Sequence, residues 1–214
     1  MKSVLIIGMG RVGCHLAEEM QKLGNDVVIV DSDSEVIEKL SGKFTDAIIG
    51  DCTNEDVLES IGVKDFDICF VMIAENFQSS LEVTSLLKEH GAKIVVSKAN
   101  TKIQQKFLKR NGADYVVYPE FDTAKRMADR FNLDNVLDCI ELNDEYAIYE
   151  IPVPEKWIGR SLVQIGVRNE YNLNVLMVKN NGKLNPLPGA EYVFCVEDNI
   201  IALGKSKDVA RISQ

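Results

Sequence analysis

Apolar residues in the first half of the chain gather into short runs: Val4–Ile7, Val27–Val30, Ala47–Ile49, Ile68–Ile73, Ile94–Val96 and Tyr115–Tyr118. Between them lie stretches with apolar positions at helical spacing: Val12–Leu23, Ser34–Leu40, Glu55–Ile61, Phe77–Glu89 and Ile103–Arg110. The pattern predicts βαβαβαβαβαβ. Short, almost wholly apolar strands joined by helices imply a parallel sheet covered on both faces. The punctuation agrees. Gly24, Gly91 and Gly112 follow the first, fourth and fifth helices as C-terminal caps, and Asp33-Ser34 and Thr53-Asn54 offer N-caps.

The pattern changes at Pro119. A helix is expected from Glu120 to about Phe131, with Phe121, Ala124, Met127, Ala128 and Phe131 on one side, then a mixed segment over Asn135–Leu142. These two apolar stripes follow a completed sheet, so they are expected to pack on a neighbouring molecule. From Tyr146 a compact α+β module is predicted. Its expected strands are Tyr146–Val153, Asn174–Val178, Val193–Cys195 and Ile200–Leu203. A short helix is expected at Ser161–Ile165, a hairpin turn at Asn180-Asn181-Gly182-Lys183 and a helical turn or two in Lys205–Ile212. The expected domains are 1–120 (the parallel sheet), 121–142 (linker and dimerisation helices) and 143–214 (the small module).

Composition narrows the function classes. The chain has 214 residues, is 46% hydrophobic and 27% charged, and carries a net charge of −9. Such a balance argues against a nucleic-acid partner, which needs a basic face. No apolar run approaches the roughly 18–20 residues needed to cross a bilayer, and no signal-peptide layout precedes the first strand. A cytoplasmic location is expected. Five scattered cysteines with no C-x-x-C pair suggest neither a disulfide framework nor a zinc site.

Candidate chemistry concentrates at the first turn. Gly8, Gly10 and Gly13 form G-x-G-x-x-G between strand and helix, and Asp31 ends the second strand. This is a dinucleotide-binding fingerprint. Gly8 allows the tight turn, Gly10 lets a phosphate approach the backbone, and Gly13 lets helix and strand pack closely. The helix N-terminus offers N–H groups to phosphate, and Asp31 can accept from ribose hydroxyls. The fold class is therefore α/β, a Rossmann-like doubly wound parallel sheet, with a linker helix and a small α+β C-terminal domain. Arg11 lies inside the turn, where a guanidinium can reach outer phosphates; a solvated helix-start arginine is the bland alternative. Lys98 stands at the carboxyl end of the sheet, as a ligand group or a salt-bridged surface lysine. His15 and His90 stand in no catalytic arrangement, and Trp157 reads as a core or interface aromatic of the small module.

Six segments carry a family resemblance. They are GMGRVG at Gly8–Gly13, VDSD at Val30–Asp33, IIGDCTNEDVLESIGVKDFD from Ile48 to Asp67, SKAN at Ser97–Asn100, GADYVVYPE at Gly112–Glu120 and NVLDCIELNDEYAIYEI from Asn135 to Ile151. Together they resemble the cytosolic regulatory subunits of Trk/Ktr-type potassium-uptake systems, built from an RCK (KTN) domain, with the single-repeat Ktr type the better match. The resemblance covers essentially the whole chain. It implies a non-enzymatic subunit, peripheral at the inner face of the cell membrane, that gates a membrane potassium transporter or channel. It also implies a homodimer that assembles into a tetramer or an octameric ring.

The implied ligand is an adenine nucleotide, ATP or ADP first, with AMP or NAD(H) as further options. The nucleotide site carried over comprises Gly8, Gly10, Arg11, Val12, Gly13, Asp31, Ser32, Asp51, Cys52, Thr53, Ile73, Ala74, Asn76, Lys98 and Glu120. In this family the arginine matching Arg11 senses the γ-phosphate across the dimer, and the glutamate matching Glu120 holds a divalent cation, magnesium or calcium, near the phosphates. As a helix-start acid, Glu120 also has a purely structural reading. One departure is Glu75, which adds negative charge in the loop after the fourth strand. In the C-terminal module the resemblance places a cyclic di-AMP site around Ile165, Arg168, Asn174 and Pro188, with plain dimerisation as the alternative. Two rival functions remain from other classes: an NAD-dependent oxidoreductase, which the fingerprint permits, and a nucleotide- or redox-sensing transcription regulator, which the charge disfavours.

Overall fold

The computed structural model describes residues 1–132, 135–143 and 145–212. The chain divides into two compact units, Met1–Phe121 and Asp122–Gln214.

The first unit is a six-stranded, all-parallel sheet. Its strands are β1 (Ser3–Ile7), β2 (Asp26–Asp31), β3 (Asp46–Ile49), β4 (Ile68–Val71), β5 (Val95–Lys98) and β6 (Tyr115–Val117). They lie in the order β3-β2-β1-β4-β5-β6. Connecting them are α1 (Arg11–Lys22), α2 (Ser34–Leu40), α3 (Glu55–Ile61), α4 (Phe77–Glu89) and α5 (Lys102–Arg110). Period-two alternation divides the core. Leu5, Ile7, Val30, Cys69 and Val71 face Leu58 of α3 and Val83 and Leu87 of α4. Val4, Ile6, Val27, Ile29 and Phe70 face Ala17 of α1 and Ile37 of α2. Both faces are therefore buried, which is why these strands read as unbroken apolar runs. Strand order reverses between β1 and β4, the kind of switch point at whose carboxyl edge ligands bind in open α/β sheets.

Local chemistry sets the helix ends. Asp33 caps α2 by accepting from the Glu35 and Val36 amides, and Asn54, not Thr53, caps α3 by accepting from the Asp56 amide. Gly24, Gly91 and Gly112 take positive φ directly after the caps of α1, α4 and α5.

The helix α6 spans Pro119–Asn132. The second unit continues with an antiparallel sheet of β7 (Asp138–Glu141), β8 (Tyr146–Pro152), β9 (Asn174–Asn180), β10 (Lys183–Asn185) and β11 (Asp198–Lys205), in the order β10-β9-β11-β8-β7. Its helices are α7 (Leu162–Ile165), α8 (Val167–Tyr171) and α9 (Ser206–Ala210). Trp157, Phe194, Ile151, Leu173 and Ile200 fill its core. Trp157 meets Tyr171 edge-on at 5.1 Å between centroids. Asn181 and Gly182, at φ 46° and 79°, form the expected two-residue hairpin turn between β9 and β10.

Three expectations are corrected. The linker expected as helices through Leu142 ends as a strand, with Asp138–Glu141 paired antiparallel to Tyr149, its neighbours and Glu150 of β8. Cys139 turns inward while Asp138 and Ile140 turn out, and the pairing covers a β8 edge that would otherwise stand open. Leu133 and Asp134, inside that linker, lie outside the described residues. The strand expected at Val193–Cys195 reduces to one bridge, Ser161 to Val193. The chain there is bent by Asp198, whose buried carboxylate accepts from the Cys195 amide at 2.8 Å and the Tyr192 hydroxyl at 3.0 Å. Helix α8, not expected from the pattern, follows α7 directly through Gly166 at φ 66°.

Candidate nucleotide-binding site

The turn from β1 into α1 is shaped by its glycines. Gly8 sits at φ +93°, and a Cβ there would stand 3.0 Å from the Ile73 amide nitrogen. A Cβ on Gly13 would stand 2.1 Å from the Gly8 carbonyl oxygen, so only glycine permits this approach of helix to strand. Gly10 is different. Its φ is −68°, which any residue adopts, and a Cβ there would meet nothing within 4 Å. No internal contact demands glycine at this position. What its bareness leaves is open approach to the N-terminus of α1.

That N-terminus is suited to an anion. Gly10 supplies no side-chain cap, and the first turn holds no acidic residue. The first N–H groups of a helix have no intrahelical partner, and the dipole there favours negative charge. Arg11 and Val12 open this turn, Arg11 exposed and Val12 packed on the core.

Asp31 locks the turn from below. One carboxylate oxygen accepts from the Met9 amide at 2.6 Å and the other from the Asp33 amide at 2.9 Å. Each oxygen keeps a lone pair for a hydroxyl donor. Ser32 beside it is exposed. After β3, Asp51 bonds its own loop, accepting from the Thr53 amide at 3.0 Å and the Thr53 hydroxyl at 2.8 Å. Cys52 turns into the core, and burial, aided by the charges of Asp51 and Asp31, pushes its thiol up to about 12. With the thiol turned inward, the part of Cys52 left for a ligand is its backbone. After β4, Ile73 is half-buried against Gly8, Ala74 is exposed, and the Asn76 side chain is committed to capping α4 at the Ser79 amide. Met9 and Asn100 were not among the expected site residues. Asn100 donates from Nδ2 to the Ala74 carbonyl at 2.7 Å and ties the loop after β5 to the loop after β4. Its place in the SKAN segment was the available signal.

Lys98 and Glu120 are joined. Lys98 ends β5 and is 7% exposed, and its Nζ donates to Glu120 Oε1 at 2.6 Å. Glu120 is held below the usual carboxylate range, first by that hydrogen bond, with Arg11 adding positive charge nearby. The residues fit a divalent cation only in part. Among the described residues no three His, Cys, Asp or Glu side chains cluster to hold a metal. Magnesium or calcium at Glu120 would need phosphate and water oxygens to complete its shell.

In the second unit, Arg168 donates to the Asn174 side chain at 2.6 Å, which brings two of the four expected cyclic di-AMP residues together. Ile165 is buried in the core and Pro188 is half-buried in the loop before β11. A cavity of about 760 Å3 opens elsewhere in this unit, lined by residues 151–156 with Asn135 and Ile212, and holds none of the predicted site residues.

The TrkA-N domain model matches residues 4–119 and the TrkA-C domain model matches residues 146–214. The chain belongs to the Trk/Ktr family of RCK proteins. This RCK chain is 33% identical to the Ktr system potassium uptake protein C of Bacillus subtilis (strain 168), over 100% of its own length and 96% of that protein. It is 32% identical to Ktr system potassium uptake protein A of the same organism, over 98% and 95%. Among solved structures it resembles the GsuK channel bound to NAD, with a TM-score of 0.65 and 16% identity, over 99% of this RCK chain and 38% of that one. That likeness is one of fold.

Proposed function

We propose that the chain is a non-enzymatic, nucleotide-binding regulatory subunit of a potassium-uptake system. It works at the inner face of the membrane against a membrane-embedded potassium transporter. An adenine nucleotide, ATP or ADP foremost, lies with its phosphates over Gly10 and the start of α1. Asp31 receives the ribose hydroxyls, the loops after β3 and β4 border the adenine, and Arg11 reads the outermost phosphate. Glu120 and phosphate oxygens share a divalent cation. Homodimers assemble into a tetramer or an octameric ring, and the Arg168–Asn174 region takes cyclic di-AMP.

The observation that carries this reading is the combination at Gly10: an uncapped helix N-terminus, free of acidic residues, beneath a glycine that no internal packing requires. The full-length likeness to the Ktr proteins of Bacillus subtilis supports the potassium-uptake role. Native mass spectrometry of the purified protein tests it. The expected result is a tetramer or octamer that carries adenine nucleotide. A monomer that gives no binding heat with ATP, ADP, AMP or NAD(H) would overturn the reading.

A further inference from the structure

Lys98 is a buried cation whose one partner among the described ion pairs, Glu120, is mostly in solvent: their side chains are 6% and 60% exposed. The two lie 22 residues apart, one at the end of β5 and the other in the first turn of α6. A buried ammonium is costly unless paired, so Lys98 must hold an anion at all times. Glu120 is the anion here, and it sits on a helix start that water reaches. Arg11, the first residue of α1, lies within electrostatic reach of the same carboxylate. β5 stands two places from β1 in the parallel sheet, with β4 between them, so Lys98 and the turn before α1 lie at the same carboxyl edge.

We infer that the Lys98–Glu120 pair is an anion-exchanged latch, in which nucleotide phosphate takes over Lys98 and releases Glu120 together with the first turn of α6. This rests on the proposed nucleotide site and adds a route by which occupancy reaches another element. Phosphate is the better partner, since it brings more charge and more acceptor oxygens than one carboxylate. No atom is transferred and no bond is made beyond this exchange of ionic hydrogen bonds. Once freed, Glu120 is available to a cation, so phosphate and divalent cation bind with positive coupling. α6 also carries Met127 and Phe131, which are 54% and 74% exposed, so the released element bears exposed apolar side chains.

A double-mutant cycle on the full chain tests this, with ADP affinity measured by calorimetry in EDTA to exclude metal. The four proteins are wild type, Glu120→Gln, Lys98→Met and Lys98→Met/Glu120→Gln. If Glu120 competes with phosphate for Lys98, Glu120→Gln tightens ADP binding about fivefold, a change worth about 1 kcal/mol. The same substitution then changes affinity less than about twofold when Lys98 is already Met, because there is no cation left to compete for. Equal tightening in both backgrounds would mean simple repulsion between Glu120 and phosphate, and would overturn the latch. Loss of affinity on Glu120→Gln would also overturn it, since the pair would then persist in the complex. If Lys98→Met does not fold, Lys98→Arg keeps the cation, and Glu120→Gln must still tighten ADP in that background. Wild type that binds no nucleotide at all would remove the nucleotide site itself, whereas binding with a flat cycle removes only the latch.

Discussion

At the scale of single residues, the site divides between groups the backbone demands and groups it leaves unexplained. Gly8 and Gly13 are fixed by contacts of 3.0 and 2.1 Å that a Cβ would make. Asp31 is spent partly on structure, since its oxygens hold the Met9 and Asp33 amides. Arg11 has no such structural task. It places a cation at the positive end of a helix dipole, a cost of about 0.3–1 kcal/mol that attraction to the Glu120 carboxylate offsets only in part. Arg11→Ala should therefore leave unfolding midpoints unchanged or slightly raised. It should weaken ATP binding by about tenfold, in line with loss of a charge-assisted contact, and ADP binding by much less. Calorimetry with both nucleotides checks this, and equal losses would remove the sensing role. Much of this was legible in the sequence, because glycine spacing and the strand-end acid are local signals. The Lys98–Glu120 pair was not: the residues are distant in sequence, and only the adjacency of β5 and β6 brings them together. Cys52 is expected in the site and its thiol turns into the core, which leaves its backbone to border a ligand; nothing local tells a loop cysteine facing outward from one turned inward.

At the scale of elements, α1 offers the sharpest test. Its N-terminus lacks a side-chain cap, although Asp, Ser, Thr or Asn would be the ordinary choice there. Gly10→Asp has room for its side chain and a φ that suits it. The new carboxylate would cap α1 and reduce unfolded-state freedom, and should stabilise the chain by about 0.5–1 kcal/mol. It would also put a negative charge where phosphate belongs, and nucleotide binding should fall below detection. Urea unfolding and calorimetry on the same variant separate the two effects, and a variant both stabler and still binding would contradict the phosphate placement. The elements of the first unit were readable because a doubly buried parallel sheet writes its strands as uniform apolar runs. Those of the second unit were less so. β7 is four residues long and buries one side chain, Cys139, so its pattern resembles the tail of an amphipathic helix. Phe194 is buried without belonging to a strand, because Asp198 turns the chain beside it.

At the scale of the whole molecule, carboxylates in both units set the response to acid. Asp67 is held below its usual range by the Ser3 amide and Lys93, and Glu145 by Lys205. Burial raises Asp114, but the Val95 amide and Lys88 outweigh it, and Glu120 is lowered chiefly by Lys98. Each binds protons less readily folded than unfolded. Their contributions are therefore complete above the unfolded values near pH 4 and vanish as pH falls through the lower folded values. Stability by urea unfolding should be flat from about pH 7 to 5 and should drop below about pH 4. Most of these groups are well exposed, so the drop should shrink in high salt. A maximum in acid would contradict this set of pairs.

Assembly decides whether nucleotide occupancy can act as a switch. If a ligand prefers one state tenfold, one site supplies about 1.4 kcal/mol, whereas moving an equilibrium from 1:99 to 99:1 takes about 5.5. Two linked sites fall short at about 2.8, four just reach the requirement, and eight exceed it at about 11. A regulator with modest discrimination must therefore be at least tetrameric to be decisive. One surface that would gain from a neighbour is α6, where Met127 and Phe131 are 54% and 74% exposed. A chain with Met127→Glu and Phe131→Glu should keep its fold, since neither side chain is buried, and should run as a smaller species by light scattering. Nucleotide should still bind it, because the glycine turn and Asp31 lie on other elements. Its conformational response, followed by hydrogen exchange against ATP concentration, should become shallow and incomplete where the wild type is steep. An unchanged mass would show that α6 is not the contact between copies, and a smaller species with an undiminished, steep response would show that the switch needs no ring.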